Sequence, residues 1–534
     1  MLDLLLVNGN VVDGSGAAPF LSDVAVQDGK IVRIAPGIVA EAHKTIDLGG
    51  EYLTPGFIDI HRHSDAFVFR PGFGEVQIRQ GITSTVNGNC GLSIAPCPTH
   101  HRAEILQYLK PITGTLPDGV VFESFSEYLS AVEKTSLPLN FGMHVGNGTL
   151  RMAAKGFAAG KLTPEEVRTV HRYLEDALAH GAFGLSMGVV YMPETLYDRA
   201  GFLEALEPLR GRGIPLVTHI RGEGNLLLRS LEEVLDLAEE LDVPLHISHF
   251  KCVGKSNWGT LLQRAIRTLD EARARGVRVT CDVYPWTAGS TQLVQLLPPA
   301  FLEGGLARTT ERLRDPEERA RCRAILEQPQ TEFENLLDLV GWENIMLTAL
   351  YRPENQPYIG KRVTEIAAMR GQDPYDAAFD LLAAENCDIS MVNFIVCEED
   401  IETILKLPYS LLISDSIYPD GGKPHPRQYG TFPKLLTDYV RDKSVLTLEE
   451  AVRKMTGAPA ELLRIPGKGL LREGYDADLT AFDLRKLQNH ADYLHPSEYA
   501  TGISYVFVNG ELTNDHDHFL STSAGKVLRR KASE

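Results

Sequence analysis

The chain has 534 residues, long enough for one large domain and a smaller companion, because a single core stops growing at about 250 to 300 residues. Hydrophobic residues at 43% and charged residues at 23% are ordinary for a globular protein and exclude a disordered or fibrous chain. A formal net charge of -18 argues against a polyanionic partner such as nucleic acid, whose binding needs clustered cations.

Residues 1–55 read as short strands, LLLVNGNVV, DVAVQDGKIVRIA and KTIDLGGEYLTPG, with Asn-Gly, Asp-Gly and Gly-Gly as turn signals. The apolar start has no basic flank or small-residue cleavage site, and no run approaches the ~20 apolar residues of a membrane span. A cytoplasmic location is therefore expected, with no membrane association. From residue 56, apolar strand-like runs alternate with amphipathic helical stretches such as 164–181 and 226–241, the pattern of a parallel sheet. Eight runs are the principal strands: 56–60, 82–88, 139–145, 182–188, 215–220, 244–250, 277–284 and 410–415. Two more, 344–350 and 389–397, complicate the count before the eighth, and the charged helical stretch 298–340 looks like an insertion near a barrel mouth, as a lid or as a plain surface insert. The C-terminal segments GLLREGYDADLTAFDL and ISYVFVNGELT return to the style of the N-terminus. The expected fold is α/β: a (β/α)8 barrel over 56–464, beside a small β-sandwich built from residues 1–55 and 465–520.

Seven scattered cysteines, an odd number, read as reduced thiols, and Asn147-Gly148-Thr149 reads as a loop and not as a glycosylation site. Side chains at the C-terminal ends of barrel strands point into the mouth. His61 and His63 follow the first strand, Cys90 the second, His219 ends the fifth, His249 the sixth and Asp415 the eighth. Two histidines at i and i+2 project to one side, and imidazole, thiolate and carboxylate are the usual zinc ligands. Any one of these histidines alone would more often be a packed core residue; their shared rim position makes the case. Cys90, flanked by Gly88 and Gly91, reads as a thiolate that binds or bridges metal only in this company. His144, His246, Cys252 and Cys281 are read as packed residues.

GFIDIHRH resembles the histidine pair of the amidohydrolase superfamily, and GNCGLSIAP, GLSMGVVYMP, THIRGE, SHFKCVGKSNWG, SDS and HPRQYGTFP resemble successive motifs of the D-aminoacylases, the N-acyl-D-amino-acid deacylases. The likeness covers nearly the whole chain. It implies a centre in which Cys90, His219 and His249 hold the tighter ion while His61, His63 and Asp415 hold or face a second. It also implies that Lys251, Tyr191 and Tyr284 bind the substrate carboxylate. The fourth-strand run AFGLSMG lacks the carboxylated lysine of many relatives, in keeping with a cysteine-bridged branch. Glu194 and Ser416 stand where the family pattern has glycine, which bears on the substrate pocket more than on the metal site.

Amide hydrolysis needs an activated water, a polarised carbonyl and a protonated leaving amine; zinc can supply the first two, and Asp415 is the expected general base. The expected substrate is a small N-acyl-D-amino acid, with one or two zinc ions and with nickel, cobalt or manganese as competitors. An oligomer is left open. The alternatives are a cyclic-amide hydrolase of the dihydropyrimidinase or dihydroorotase kind, and an inactive metal-binding relative. Arg221 is expected to pair with Glu223 or a loop and not with substrate.

Overall fold

The computed structural model describes residues 1–531. The N-terminal strands are β1 (Leu2–Val11), β2 (Phe20–Gln27), β3 (Lys30–Ala35), β4 (Ala42–Asp47) and β5 (Tyr52–Pro55). The barrel strands follow as β6 (Phe57–Asp59), β7 (Ile82–Asn87), β8 (Asn140–Met143) with its continuation β9 (Val145–Gly146), β10 (Leu185–Gly188), β11 (Leu216–His219), β12 (Leu245–Ile247) and β13 (Val279–Val283). Next come β14 (Ala288–Gln292), β15 (Ile345–Ala349), β16 (Ser390–Phe394), and the last barrel strand β17 (Ser410–Leu412). The chain ends with β18 (Leu479–Phe482), β19 (Ile503–Val508), β20 (Glu511–Asp515) and β21 (His518–Phe519).

β6, β7 and β8 pair in parallel, as do β9, β10, β11, β12, β13 and β17. The continuous β8–β9 strand joins the two arcs. The ring closes between the first and last strands, where the Asp415 N–H donates to the His61 carbonyl at 2.9 Å and the His63 N–H to the Ser416 carbonyl at 3.0 Å. Side chains lock the same seam: buried Arg62 reaches Asp59 Oδ2 at 2.8 Å and Ser414 Oγ at 3.1 Å. The eight runs read from the sequence are thus the eight barrel strands. They are buried along their length because helices cover their outer faces.

The helix Pro164–Ala179 shows the local logic. Thr163 caps it by accepting from the Glu166 N–H, Pro164 opens it where no N–H is needed, and Val167, Val170, Leu174 and Ala177 bury one face.

Both chain ends share one nine-stranded sheet, joined where β5 and β18 pair antiparallel. The sheet branches at β1, which pairs with β2, β4 and β5, and it folds over its own apolar core of Leu4, Leu6, Val24, Val26, Ile46 and Phe507. This is the small β-sandwich that the two ends were expected to make. The two surplus runs belong to neither part: β15 and β16 form an antiparallel sheet with β14, in the order β14-β16-β15. β14, with sequence AGSTQ, had no apolar alternation to announce it. The 298–340 stretch is helical, as read, and docks on the loops after β10 and β11, where Glu334 accepts from the Gly224 N–H at 2.8 Å.

Candidate metal centre and substrate pocket

At the mouth where the parallel strands end, Cys90 Sγ lies 3.3 Å from His61 Nε2 and 3.5 Å from His249 Nε2. Two sets of possible donors overlap there, His61, His63, Cys90 and Asp415 in one and Cys90, His219 and His249 in the other, each set within 4.8 Å. Asp415 Oδ1 is 3.4 Å from Nε2 of both His61 and His63. All six rim residues named from the sequence are brought together, with Cys90 common to both sets.

The donor set fits zinc. Bonds of about 2.0 to 2.3 Å in a tetrahedron separate neighbouring donors by about 3.3 to 3.7 Å, the range of the sulfur–nitrogen distances here. Buried ring nitrogens also stand unspent, since His63 Nδ1 and His219 Nδ1 have no hydrogen-bond partner among the described residues. The charge states suit a cation. Burial opposes a thiolate at Cys90, but His61, His219 and His249 outweigh it and hold the thiol well below its ordinary value. Burial likewise opposes ionisation of Asp415, and Arg427 followed by His61 outweighs it, so the carboxylate stays well below its ordinary value.

The backbone bends sharply to make this cluster. Cys90, His249 and Asp415 adopt φ of +54°, +36° and +51°, a left-handed conformation that costs a non-glycine residue about 1 kcal/mol or more. Gly91 beside Cys90 is required by contact as well as by its φ of +70°, because a Cβ there would meet Glu194 Oε2 at 2.2 Å. Asn89 Nδ2 ties this loop to the first strand by donating to the carbonyls of Ile60 and Arg62 at 3.2 and 3.4 Å.

A carboxylate behind the histidines went unnoticed in the sequence. Asp282 Oδ2 lies 2.9 Å from His246 Nε2 and 3.4 Å from His61 Nδ1, while its Oδ1 accepts the His249 N–H. Burial opposes its ionisation, and His246 and His61 outweigh that and keep it ionised. Such a partner fixes the His61 ring with Nε2 toward Cys90. The signal was an aspartate near the C-terminal end of the strand run VRVTCDVY, where it is fully buried. His246 is packed as expected, its Nδ1 2.7 Å from Thr280 Oγ1. His144 is fully buried without a ring hydrogen bond, and burial, with His61 and His246 nearby, lowers its pKa to about 3.

A pocket opens over the cluster, and Lys251, Tyr191 and Tyr284 all line it. Lys251 Nζ sits 2.6 Å from Glu223 Oε1 and 2.8 Å from His249 Nδ1. Tyr284 lies between two cations, its ring centre 4.9 Å from the Arg427 guanidinium and 5.9 Å from Lys251 Nζ. The Tyr191 ring packs edge-on to His219 at 4.8 Å, and its hydroxyl is 3.5 Å from Thr291 Oγ1.

Arg427, within the quoted HPRQYGTFP motif but not singled out there, is the residue the sequence reading lacked. It is 1% exposed, its Nη1 is 2.7 Å from Asp415 Oδ2, and its Nε and Nη1 make no hydrogen bond among the described residues. Gly289, Ser290 and Thr291 of β14, with Asn393 of β16 and Ile395 just beyond it, also line the pocket. Arg221 pairs with Glu233 and with the Thr195 and Tyr197 carbonyls, leaving Glu223 to Lys251 and His249. Glu194 and Ser416 do not line the pocket. Glu194 lies behind the Cys90 loop, accepting from Asn147 Nδ2 and the Gly188 N–H at 2.8 Å each, and Ser416 is buried against Ser414.

Donors of this chemistry at the strand ends of a (β/α)8 barrel mark a metal-dependent hydrolase. The chain belongs to the amidohydrolase family, whose profile matches residues 44–513. It is 33% identical to a D-aminoacylase of Alcaligenes xylosoxydans xylosoxydans over 99% of this chain and 98% of that one. It is 32% identical to an N-acyl-D-glutamate deacylase of the same organism, over 100% and 97%. Among solved structures, an N-acyl-D-glutamate deacylase of Bordetella bronchiseptica, crystallised with zinc and a phosphonate mimic of the tetrahedral intermediate, superposes with a TM-score of 0.84 at 28% identity over 99% of each chain.

Proposed function

We propose that this protein hydrolyses the amide bond of N-acyl-D-amino acids, with zinc held by Cys90, His219 and His249 and by His61, His63 and Asp415 on the other side of the shared thiolate. The observation that carries the reading is the conjunction of two features in one pocket: six metal donors gathered about Cys90, and a buried guanidinium beside them with donors unspent. An N-acyl amino acid offers a scissile amide and a carboxylate a few bonds apart, the two groups such a pocket would receive. The relatives support the amide chemistry and the D configuration.

Zinc in such a site supplies Lewis acidity, which polarises the amide carbonyl and acidifies water. The remaining work falls to the chain. Arg427, Lys251 and Tyr284 take the substrate carboxylate and orient the amide over the cluster. Asp415, ionised and at the edge of the donor set, accepts the proton of the attacking water. Arg427 then makes the resulting carboxylic acid a strong one, so the proton passes readily to the leaving nitrogen. The β14–β16 wall limits water to the open side. Asn89 and Asp282 hold their loops and rings so that little reorganisation is needed.

The test is turnover of N-acetyl-D- and N-acetyl-L-amino acids by zinc-loaded protein, run beside hydantoins and dihydropyrimidines. Hydrolysis of the D-series alone is expected. Turnover of the cyclic amides without the linear ones would move the protein to the other branch of the family, and inertness toward every amide would leave a binding protein.

A further inference from the structure

The relatives' names differ on the amino-acid side chain: one gives D-glutamate, one D-aspartate and one no particular residue. We infer that this pocket takes N-acyl-D-amino acids with an uncharged side chain and rejects the short acidic ones; the inference rests on the deacylase reading above.

The pocket lining holds two basic side chains that are not candidate metal ligands, Lys251 and Arg427. Lys251 already faces a carboxylate of the pocket: its ammonium is 2.6 Å from Glu223 Oε1 and donates to the His249 carbonyl at 2.9 Å, so with Arg427 and Tyr284 it can share the α-carboxylate but has nothing to spare for a second. Arg427 likewise faces a carboxylate, its Nη1 2.7 Å from Asp415 Oδ2 and its Nη2 on the Ser290 carbonyl at 3.1 Å, with Nε free of hydrogen bonds among the described residues. That leaves donors for one carboxylate, and every N-acyl amino acid brings one on its α-carbon. A second carboxylate, on a side chain as short as that of aspartate or glutamate, stays inside the pocket and finds Leu92, Ile112, Ile395 and Ile417, or the neutral Thr291 and Asn393. A basic side chain on the neighbouring rim, Arg221, is held by Glu233 in a two-pronged pair and by two backbone carbonyls, so it is not available to swing in. A charge buried without a partner is strongly disfavoured, whereas an amide or alkyl group of the same size is not.

Pairs of equal shape separate charge from size. Zinc-loaded protein is assayed with N-acetyl-D-glutamine against N-acetyl-D-glutamate, N-acetyl-D-asparagine against N-acetyl-D-aspartate, and N-acetyl-D-leucine. The neutral member of each pair is expected to have a kcat/KM at least about 100-fold above its acidic partner, with N-acetyl-D-leucine among the good substrates. Acidic substrates turned over within about ten-fold of their amides would overturn the charge argument while leaving the deacylase reading in place. Turnover of none of the five would instead overturn the deacylase reading, and this inference with it. A second readout does not depend on chemistry: the free product D-leucine should raise the thermal midpoint of the protein more than D-glutamate does, and equal or reversed shifts count against the inference.

Discussion

Asp415 must be ionised to accept a proton and acidic enough to give it up, and its neighbours tune both. Replacing it by asparagine keeps the shape and one oxygen but removes the base, so kcat is expected to fall by about 10³-fold or more while elemental analysis still finds the one zinc that Cys90, His219 and His249 would hold without Asp415. Loss of metal in step with activity would make Asp415 a ligand first and a base second. Arg427→Met tests the same device from the other side. It removes the main cation that keeps the carboxylate ionised, so the acid limb of the kcat profile should move to higher pH, and KM should rise about ten-fold or more as the substrate carboxylate loses its partner. Glu194 gives a separate pH effect, on stability. Burial raises its pKa from 4.5 to about 7, so the folded state binds the proton more tightly than the unfolded one. The stability this contributes is complete below pH 4.5 and lost as pH rises through 7. Glu194→Gln removes the titration, and the stability difference between variant and parent should shift in the variant's favour by about 2 to 3 kcal/mol between pH 4 and 8. A difference flat with pH would show that Glu194 is not held neutral. The rim donors were legible because strand ends in this fold aim side chains at one place. Asp282, Glu223 and Arg427 were not, because each takes its role from partners on other elements, and a lone charged residue in a sequence does not say whom it meets.

At the scale of elements, the barrel could be read because its strands are short runs rich in apolar and β-branched residues that alternate with helices, and because helices such as Pro164–Ala179 carry caps and a periodic apolar face. The pocket wall could not. Its strand β14 has five small or polar residues that form a strand only because β16 offers a partner, with Ser290 Oγ also donating to the Met391 carbonyl at 2.9 Å. Substrate selection therefore rests on the element least visible in the sequence. The junction of the two parts is held by a different device. Lys468, 5% exposed, sits 2.6 Å from Asp478 Oδ2 and 3.0 Å from Asp476 Oδ2. Asp478 also accepts from Asn140 Nδ2 of barrel strand β8 at 2.9 Å and from the Asn509 N–H at 2.7 Å. Lys468→Met leaves a carboxylate buried without its cation and is expected to cost about 3 kcal/mol in chemical denaturation. Adding Asp478→Asn should recover part of that loss, since the uncompensated charge and not the missing contact is the main cost. A double variant no better than the single one would assign the cost to packing.

For the whole molecule, the two ends of the barrel divide the labour. The metal donors and pocket lie at the C-terminal mouth, while the opposite end is closed by a tail that no pattern in the sequence had announced. The Phe141 N–H donates to the Lys526 carbonyl at 2.9 Å, and the Leu528 N–H returns to the Phe141 carbonyl at 2.8 Å. The Gly525 N–H bonds to the Leu137 carbonyl and the Arg530 N–H to that of Gly181, at 2.7 and 2.9 Å. Leu528 packs on the cluster of Ile58, Val86 and Phe183, and Arg530, 9% exposed, donates to the Gly213 carbonyl at 2.8 Å. Leu137, Gly181 and Gly213 precede barrel strands and Phe141 is the second residue of β8, so the tail ties together the ends of the strands farthest from the metal donors. In a barrel of this kind the mouth governs chemistry and the floor governs stability. A chain cut after Leu520 is therefore expected to lose about 3 to 5 kcal/mol, the sum of a few hydrogen bonds and a partly buried leucine, seen as a lower denaturation midpoint. Its kcat/KM per folded molecule, measured well below that midpoint, should stay within about two-fold of the parent, because none of the residues described after Leu520 lines the pocket. A matching fall in kcat/KM would mean that strain at the floor reaches the left-handed turns at Cys90, His249 and Asp415, and that the barrel transmits it instead of separating its two ends.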